Sequence, residues 1–100
     1  MNKPVITING NKIEMLEPKA RAWREVMKFE TERKDLKADD AVEKYCEVIA
    51  KVFGVTTDEV LDNLELVDVI PTYFAVLNRI VAMLTEKLLT VKKNEDAAEN

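Results

Sequence analysis

The side chains that most often carry enzymatic chemistry are scarce in this sequence. It contains no histidine and a single cysteine, Cys46. Histidine is the usual acid or base near neutral pH and the commonest metal ligand, and a cysteine nucleophile needs a neighbouring base. Cys46 also falls on the apolar face of a predicted helix, where a thiol is usually buried and structural. The sequence therefore predicts no catalytic residue, no cofactor and no metal site.

Three carboxylates, Asp58, Glu59 and Asp62, cluster at the start of another predicted helix. They could bind a cation, but they lack the alternating oxygen ligands and the central glycine of a calcium loop. Acidic side chains at a helix N-terminus also complement the positive end of the helix dipole. We therefore interpret the cluster as a helix start, reinforced by the capping-box pair Thr56 and Glu59.

A basic run surrounds the single tryptophan in EPKARAWREV, residues 17–26. Interleaved basic and aromatic residues are typical of nucleic-acid-binding segments. On a helix, however, Trp23 lies on the apolar arc, whereas Arg21 and Arg24 lie on the opposite side, so Trp23 cannot stack on a base that Arg24 holds. Glu25, four residues after Arg21, also places an acid beside the basic stripe. Both observations disfavour a nucleic-acid site, and a small nucleic-acid-binding regulator that uses this basic face is the alternative function.

The composition limits the class of protein. One hundred residues, 47% hydrophobic and 34% charged, with two glycines and three prolines, predict one domain built mainly of helices. A single cysteine cannot form an intramolecular disulfide, which favours a reducing compartment. The net charge of −4 disfavours general binding to phosphate backbones. The charge is unevenly distributed. Residues 1–37 carry 9 Lys/Arg and 6 Asp/Glu, whereas residues 38–100 carry 6 Lys/Arg and 13 Asp/Glu. The basic end of one copy can therefore attract the acidic end of another.

The chain begins with a predicted β-hairpin, PVITINGNKIEML. Either Asn-Gly at 9–10 or Gly-Asn at 10–11 can occupy the two turn positions that require positive φ. Both choices place the same four side chains on one face: Ile6, Ile8, Ile13 and Met15. Because a lone hairpin is marginal in water, we expect this face to lie on helices or on another copy's sheet.

Four helices are predicted after the hairpin. We expect Pro18 in the first turn of the first helix. The second helix is expected to begin with Asp39 or Asp40 as its cap and to stop at Gly54, and the third to end at Leu64. The fourth is expected to run from about Asp68 to about Leu89, with Pro71 in its first turn. The predicted fold is α+β, mainly α: an N-terminal β-hairpin followed by about four helices that form a small bundle, with the long C-terminal helix as its spine. We expect one domain over 1–90 and a disordered polar tail over 91–100.

The fourth helix is apolar around about half of its circumference. Its main apolar line is Ile70, Tyr73, Phe74, Leu77, Val81, Leu84 and Leu88, and the part of this line formed by Phe74, Leu77, Val81 and Leu84 is predicted to be internal. Its flank is predicted to contact a second chain, and the full set of expected partner-binding or self-association residues is Trp23, Arg24, Val76, Arg79, Ile80 and Met83. The window 69–89 includes Arg79, Glu86 and Lys87, so we predict no membrane span.

The order of these features resembles the tail assembly chaperones of long-tailed bacteriophages and prophages. The resemblance covers roughly residues 5–90. Its most specific part is FGVTTDEVLDNL followed by DVIP, and the next is EPKARAWR. The short N-terminal hairpin and the polar C-terminal end also match.

The resemblance implies a non-enzymatic role in virion morphogenesis. Such chaperones bind the tape measure protein and keep it soluble while tail tube subunits polymerise, and they are absent from the mature virion. The implied partners are the tape measure protein, the major tail protein and further copies of the chain, in the cytoplasm of the bacterial host. Many members also occur as a longer frameshifted form, for which Lys92-Lys93 suits a slippery site. A generic helical adaptor is a third possibility, and partner identification distinguishes it.

Overall fold

A β-hairpin and four α-helices form the fold in a computed structural model that describes the backbone of residues 3–99 and the side chains of residues 3–86. The elements are β1 (Val5–Ile8), β2 (Asn11–Glu14), α1 (Ala20–Glu32), a short 3-10 helix (Arg33–Asp35), α2 (Ala38–Phe53), α3 (Thr57–Asn63) and α4 (Leu66–Glu99). This architecture confirms the predicted fold class, α+β and mainly α. α4 continues to Glu99, beyond its predicted end near Leu89, and the disorder of the polar tail at 91–100 stays a prediction.

The hairpin turn uses Asn9 and Gly10, both with positive φ, 50° and 82°. This selects one of the two turns that the sequence allowed. The strands are antiparallel, and the register pairs Ile6 with Ile13. Ile6, Ile8 and Met15 are buried and Ile13 packs against the core, so the predicted apolar face is confirmed.

The hairpin lies on helices, which is one of the two coverings expected for it. The Leu16 N–H donates to the Val52 carbonyl at the end of α2, at 3.0 Å. The Asn9 N–H donates to Asn63 Oδ1 at the end of α3, at 2.8 Å. These two bonds hold both ends of the hairpin against the helical layer.

Two helix starts differ from the prediction. Lys19 is the N-cap of α1, so Pro18 precedes the helix instead of lying in its first turn. Lys37 is the N-cap of α2, and Asp39 and Asp40 lie inside the first turn, where they still complement the helix dipole. Neither N-cap residue makes a side-chain hydrogen bond to the helix. The sequence therefore contains no capping residue that indicates where these two helices begin.

The junction between α2 and α3 agrees with the prediction. Gly54 ends α2 in the left-handed conformation at φ 72°. A Cβ there would lie 2.9 Å from Cδ1 of the exposed Leu16, which can move aside, so the backbone angle is what disfavours a side chain at this position. The Thr56–Glu59 capping box is present, with the Glu59 N–H donating to Thr56 Oγ1 at 3.1 Å and the Thr56 N–H donating to Glu59 Oε1 at 3.0 Å.

The orientation of α4 corrects the prediction. The helix begins at Leu66, two residues early, so Pro71 lies within it. Its buried line, called the inner stripe, is Val69, Tyr73, Val76 and Ile80. Tyr73 of the predicted main line is buried, but the rest of that line is only partly covered: Phe74 and Leu77 are half-buried against the core, whereas Ile70, Val81 and Leu84 are exposed. These five residues, Ile70, Phe74, Leu77, Val81 and Leu84, are called the outer stripe. Val76 and Ile80 are therefore core residues, and the expectation that they face outward is wrong.

The physical reason is that α4 has two apolar lines about a quarter-turn apart. Both follow helical spacing, so periodicity alone does not decide which one the domain covers. The other helices decide it. Tyr73 of the inner stripe packs edge-to-face on Phe29 of α1 and on Tyr45 of α2, with ring centroids 5.2 and 5.1 Å apart.

The segment Leu66–Glu86 of α4 is long and apolar enough to cross a membrane by length and composition, with a mean hydropathy of 1.5. Its charged residues alone therefore do not exclude a span, and the absence of a membrane span stays a prediction. Core helices of other proteins pass the same test, and α4 carries the inner stripe and an ion pair from Arg79 to Glu17. In the most apolar part of the segment 22% of the residues are buried in the domain, and others, such as Phe74 and Leu77, are half-buried against the core.

Candidate functional site

The six residues predicted to bind partners occupy different environments. Val76 and Ile80 are buried in the core, and Arg79 is largely buried with an ion-pair partner. Trp23 is half-buried and packs against the core, Arg24 is exposed, and Met83 is half-buried. The structure therefore does not gather these six residues into a single exposed surface.

A groove of about 780 Å³ lies between the segment 16–19, α1 and α2. Its floor consists of Leu16, Pro18, Ala22, Val48 and Val52. It is mostly apolar and open to solvent. Sequence reasoning missed this groove because its floor combines residues from three separate segments. The one local indication was Leu16, a large apolar residue between the hairpin and α1, whose side chain is 54% exposed.

Charges of both signs surround the groove: Glu17, Lys19, Arg21, Glu25 and Lys51. The Lys51 Nζ donates to Glu25 Oε2 at 3.3 Å, which joins α2 to α1 across the groove edge. This hydrogen bond and the charge of Lys51 lower the pKa of Glu25. Both side chains are at the surface, so the pair contributes little to stability but shapes the rim.

Glu17 connects the groove rim to α4. Its Oε1 atom lies 2.6 Å from Lys3 Nζ and 3.4 Å from Arg79 Nη2. The hydrogen bond and charge of Lys3, together with the charge of Arg79, lower the pKa of Glu17. The Arg79 side chain is only 11% exposed, and its Nε atom finds no hydrogen-bond partner within the described part of the chain. Arg79 therefore links α4 to the segment 16–19 through its ion pair with Glu17.

The basic face of α1 is solvent-exposed at Arg21, Arg24 and Lys28. Trp23 packs against the core instead of standing beside these side chains. The expected separation of the tryptophan from the arginines is therefore confirmed. An aromatic stacking platform next to a basic stripe, as a nucleic-acid site would use, is not formed by Trp23.

Glu30 on α1 accepts hydrogen bonds from two different side chains. Tyr73 Oη donates to Glu30 Oε1 at 2.5 Å, and Arg33 Nε donates to the same atom at 2.9 Å. Burial alone would raise the pKa of Glu30, but these two donors outweigh it and lower the pKa. Burial and the nearby Glu30 raise the pKa of Tyr73. Arg33 also lies over the Phe74 ring, 5.5 Å from its centroid. The network fixes α4 on α1.

The remaining chemical candidates have structural surroundings. Glu59 is engaged in the capping box, and no cluster of three potential metal ligands occurs among residues 3–86. Cys46 is buried, and burial together with Glu43 raises the pKa of its thiol, which disfavours the reactive thiolate.

Two surfaces therefore remain as candidates for binding: the groove and the outer stripe of α4. Comparisons with protein-family models, curated proteins and solved structures found no significant match to this chain. Its function is therefore argued from its own residues, together with the resemblance stated above.

Proposed function

We propose that this chain is a non-enzymatic phage tail assembly chaperone that binds the tape measure protein and keeps it soluble during tail assembly. The groove is the observation that carries the proposal. Its apolar floor is open to solvent, although the domain around it has a well-formed core. A rigid domain with an apolar groove is suited to cover an apolar segment that would otherwise aggregate.

The chemistry of the groove favours an amphipathic helix as its ligand. Such a helix places apolar side chains at intervals of three and four residues into a groove. The floor can receive these side chains, and the two-signed rim can pair with charged residues of either sign on the flanks of the helix. A long partner would be covered by many copies, each holding one short segment.

Co-expression with the tape measure gene encoded downstream tests the proposal. We expect the tape measure protein to be soluble with the wild-type chain and insoluble without it, and the complex to survive size-exclusion chromatography. Equal solubility without this chain, together with no complex on the column, would overturn the chaperone function.

A substitution in the groove tests whether this surface is the binding site. Leu16→Lys places a charge on the floor, and we expect it to weaken binding by about tenfold, the equivalent of about 1.4 kcal/mol. Leu61→Lys on α3 is the matched control, because Leu61 is 40% exposed and does not line the groove. Binding is measured by isothermal titration with a synthetic tape measure segment. An equal loss in both variants would exclude the groove.

The alternative, a nucleic-acid-binding regulator, predicts binding that weakens steeply with salt. Titration with DNA and RNA at two salt concentrations distinguishes the two functions. Salt-sensitive binding that disappears in Arg21→Ala/Arg24→Ala would favour the regulator. No structural observation favours it at present over the chaperone.

A further inference from the structure

The apolar residues of α4 follow a heptad spacing. From Val67 they recur at alternating intervals of three and four residues through the outer stripe, and the sequence continues the pattern at Leu88 and Val91. The full series is Val67, Ile70, Phe74, Leu77, Val81, Leu84, Leu88 and Val91. Alternating intervals of three and four over about four heptads are typical of one helix pairing with another along a continuous seam.

The domain covers this seam only in part: Phe74 and Leu77, in its middle, are half-buried against the core, and Arg33 lies over the Phe74 ring. The domain packs mainly on the inner stripe, which lies about a quarter-turn away. Val67 is 80% exposed, and Ile70, Val81 and Leu84 are also exposed. The exposed part of the seam is therefore Val67 and Ile70 at one end and Val81 and Leu84 at the other, with the half-buried Phe74 and Leu77 between them.

Charge is absent beside the seam in the part of α4 with described side chains. Its three charged residues, Asp68, Arg79 and Glu86, lie together on the opposite side of the helix, nearly half a turn from the seam. The open flank of the seam carries Asn78 and Thr85 instead. A partner that binds through opposite charges has no charged side chain to pair with beside this part of the seam. Two identical copies of the helix can meet there without repulsion between like charges.

We propose that α4 of a second copy of this chain covers the seam, which makes the protein a two-fold symmetric dimer held by a two-stranded coiled coil. The second copy supplies the same heptad spacing, so apolar residues of each helix can meet those of the other from Val67 to Leu84. Each domain packs mainly on the inner stripe of its own helix, and the exposed seam residues at both ends of this stretch remain accessible to the symmetric contact. The inference does not depend on the proposed chaperone function.

Light scattering coupled to size-exclusion chromatography tests the dimer over a range of concentrations. We expect the wild-type chain to have twice the monomer mass of 11.4 kDa. Val81→Lys/Leu84→Lys places two charges in the seam and should shift the mass to that of the monomer. The helical signal in far-ultraviolet circular dichroism should stay, because both side chains are exposed.

Ala75→Lys/Ala82→Lys is the matched control. It adds the same charge to the same helix outside the heptad series, and we expect it to remain a dimer. A monomeric wild-type chain at high concentration, or a seam variant that keeps the dimer mass, would overturn the inference. Recovery of the wild-type chain in the membrane fraction, released only by detergent, would also overturn it.

The proposed dimer and the proposed chaperone function can be disproved independently of each other. A wild-type monomer that still solubilises the tape measure protein would remove the dimer and leave the chaperone function. A seam-dependent dimer that has no effect on the tape measure protein would do the reverse.

Discussion

The two stripes of α4 are both strongly apolar, yet they have opposite surroundings. In the inner stripe Val76 is fully buried, whereas in the outer stripe Val81 is 40% exposed. The difference comes from one polar contact and three aromatic rings: Tyr73 donates to Glu30 and packs on Phe29 and Tyr45. Apolar spacing therefore indicates that a helix face will be covered. Shape and hydrogen bonding decide whether the chain's own domain covers it.

The largest expected effect comes from a charge placed in the inner stripe. Val76→Asp buries a carboxylate without a partner, and we expect a loss of more than about 4 kcal/mol in the free energy of unfolding. Val81→Asp is the control on the outer stripe, and at low protein concentration it should change that free energy by no more than about 0.5 kcal/mol. Urea denaturation followed by circular dichroism measures both. Equal losses would mean that the domain does not distinguish the stripes.

A smaller effect is expected from the hydroxyl that orients the inner stripe. Tyr73→Phe keeps the ring but removes the donor to Glu30, and we expect a loss of about 2 kcal/mol because hydrogen bonds to charged groups are stronger than neutral ones. A double-mutant cycle with Glu30→Gln isolates the contact. If the two losses add without coupling, the hydrogen bond does not orient α4.

Acid pH should reveal the smallest effect. The donors Tyr73 and Arg33 hold the pKa of Glu30 below its ordinary value of 4.5. Because the folded-state pKa is depressed, the contribution of Glu30 is complete above the unfolded-state value and is lost as the pH falls through the folded-state value. We expect Glu30→Gln to be less stable than the wild-type chain at pH 7 by about 1 kcal/mol.

That difference should shrink as the pH falls below 4.5 and through the lower folded-state pKa of Glu30, where the wild-type carboxylate also becomes protonated. Urea denaturation at a series of pH values measures it. A difference that is constant from pH 7 to pH 3 would show that the charge of Glu30 does not matter. In that case α4 would be held by its aromatic contacts alone.

Local features were the most predictable from the sequence. The Gly54 stop and the Thr56–Glu59 capping box are each specified by residues within a few positions, and both are confirmed. The hairpin turn is Asn9-Gly10, one of the two turns that the sequence allowed. The starts of α1 and α2 were not predictable in the same way. Their caps, Lys19 and Lys37, make no side-chain cap hydrogen bond.

The candidate sites were less predictable because they depend on distant segments. The groove joins the segment 16–19 to α1 and α2, and no periodic pattern connects Leu16 to Val48. Arg79 was predicted as a partner contact, but its ion pair with Glu17 spans the chain from α4 to the entry of α1. Such contacts arise only when the elements pack.

The sequence by itself determined which face of the hairpin is apolar, the order of the helices and the two apolar lines of α4, because these follow from turn chemistry and from residue periods along the chain. Only the tertiary structure decided which line the domain covers and that a groove opens beside Leu16. The physical reason is that burial is a property of neighbouring elements. Tyr73 reaches Glu30, Phe29 and Tyr45 only in the folded chain, where Val76 on the same stripe is buried and Val81 on the outer stripe is exposed.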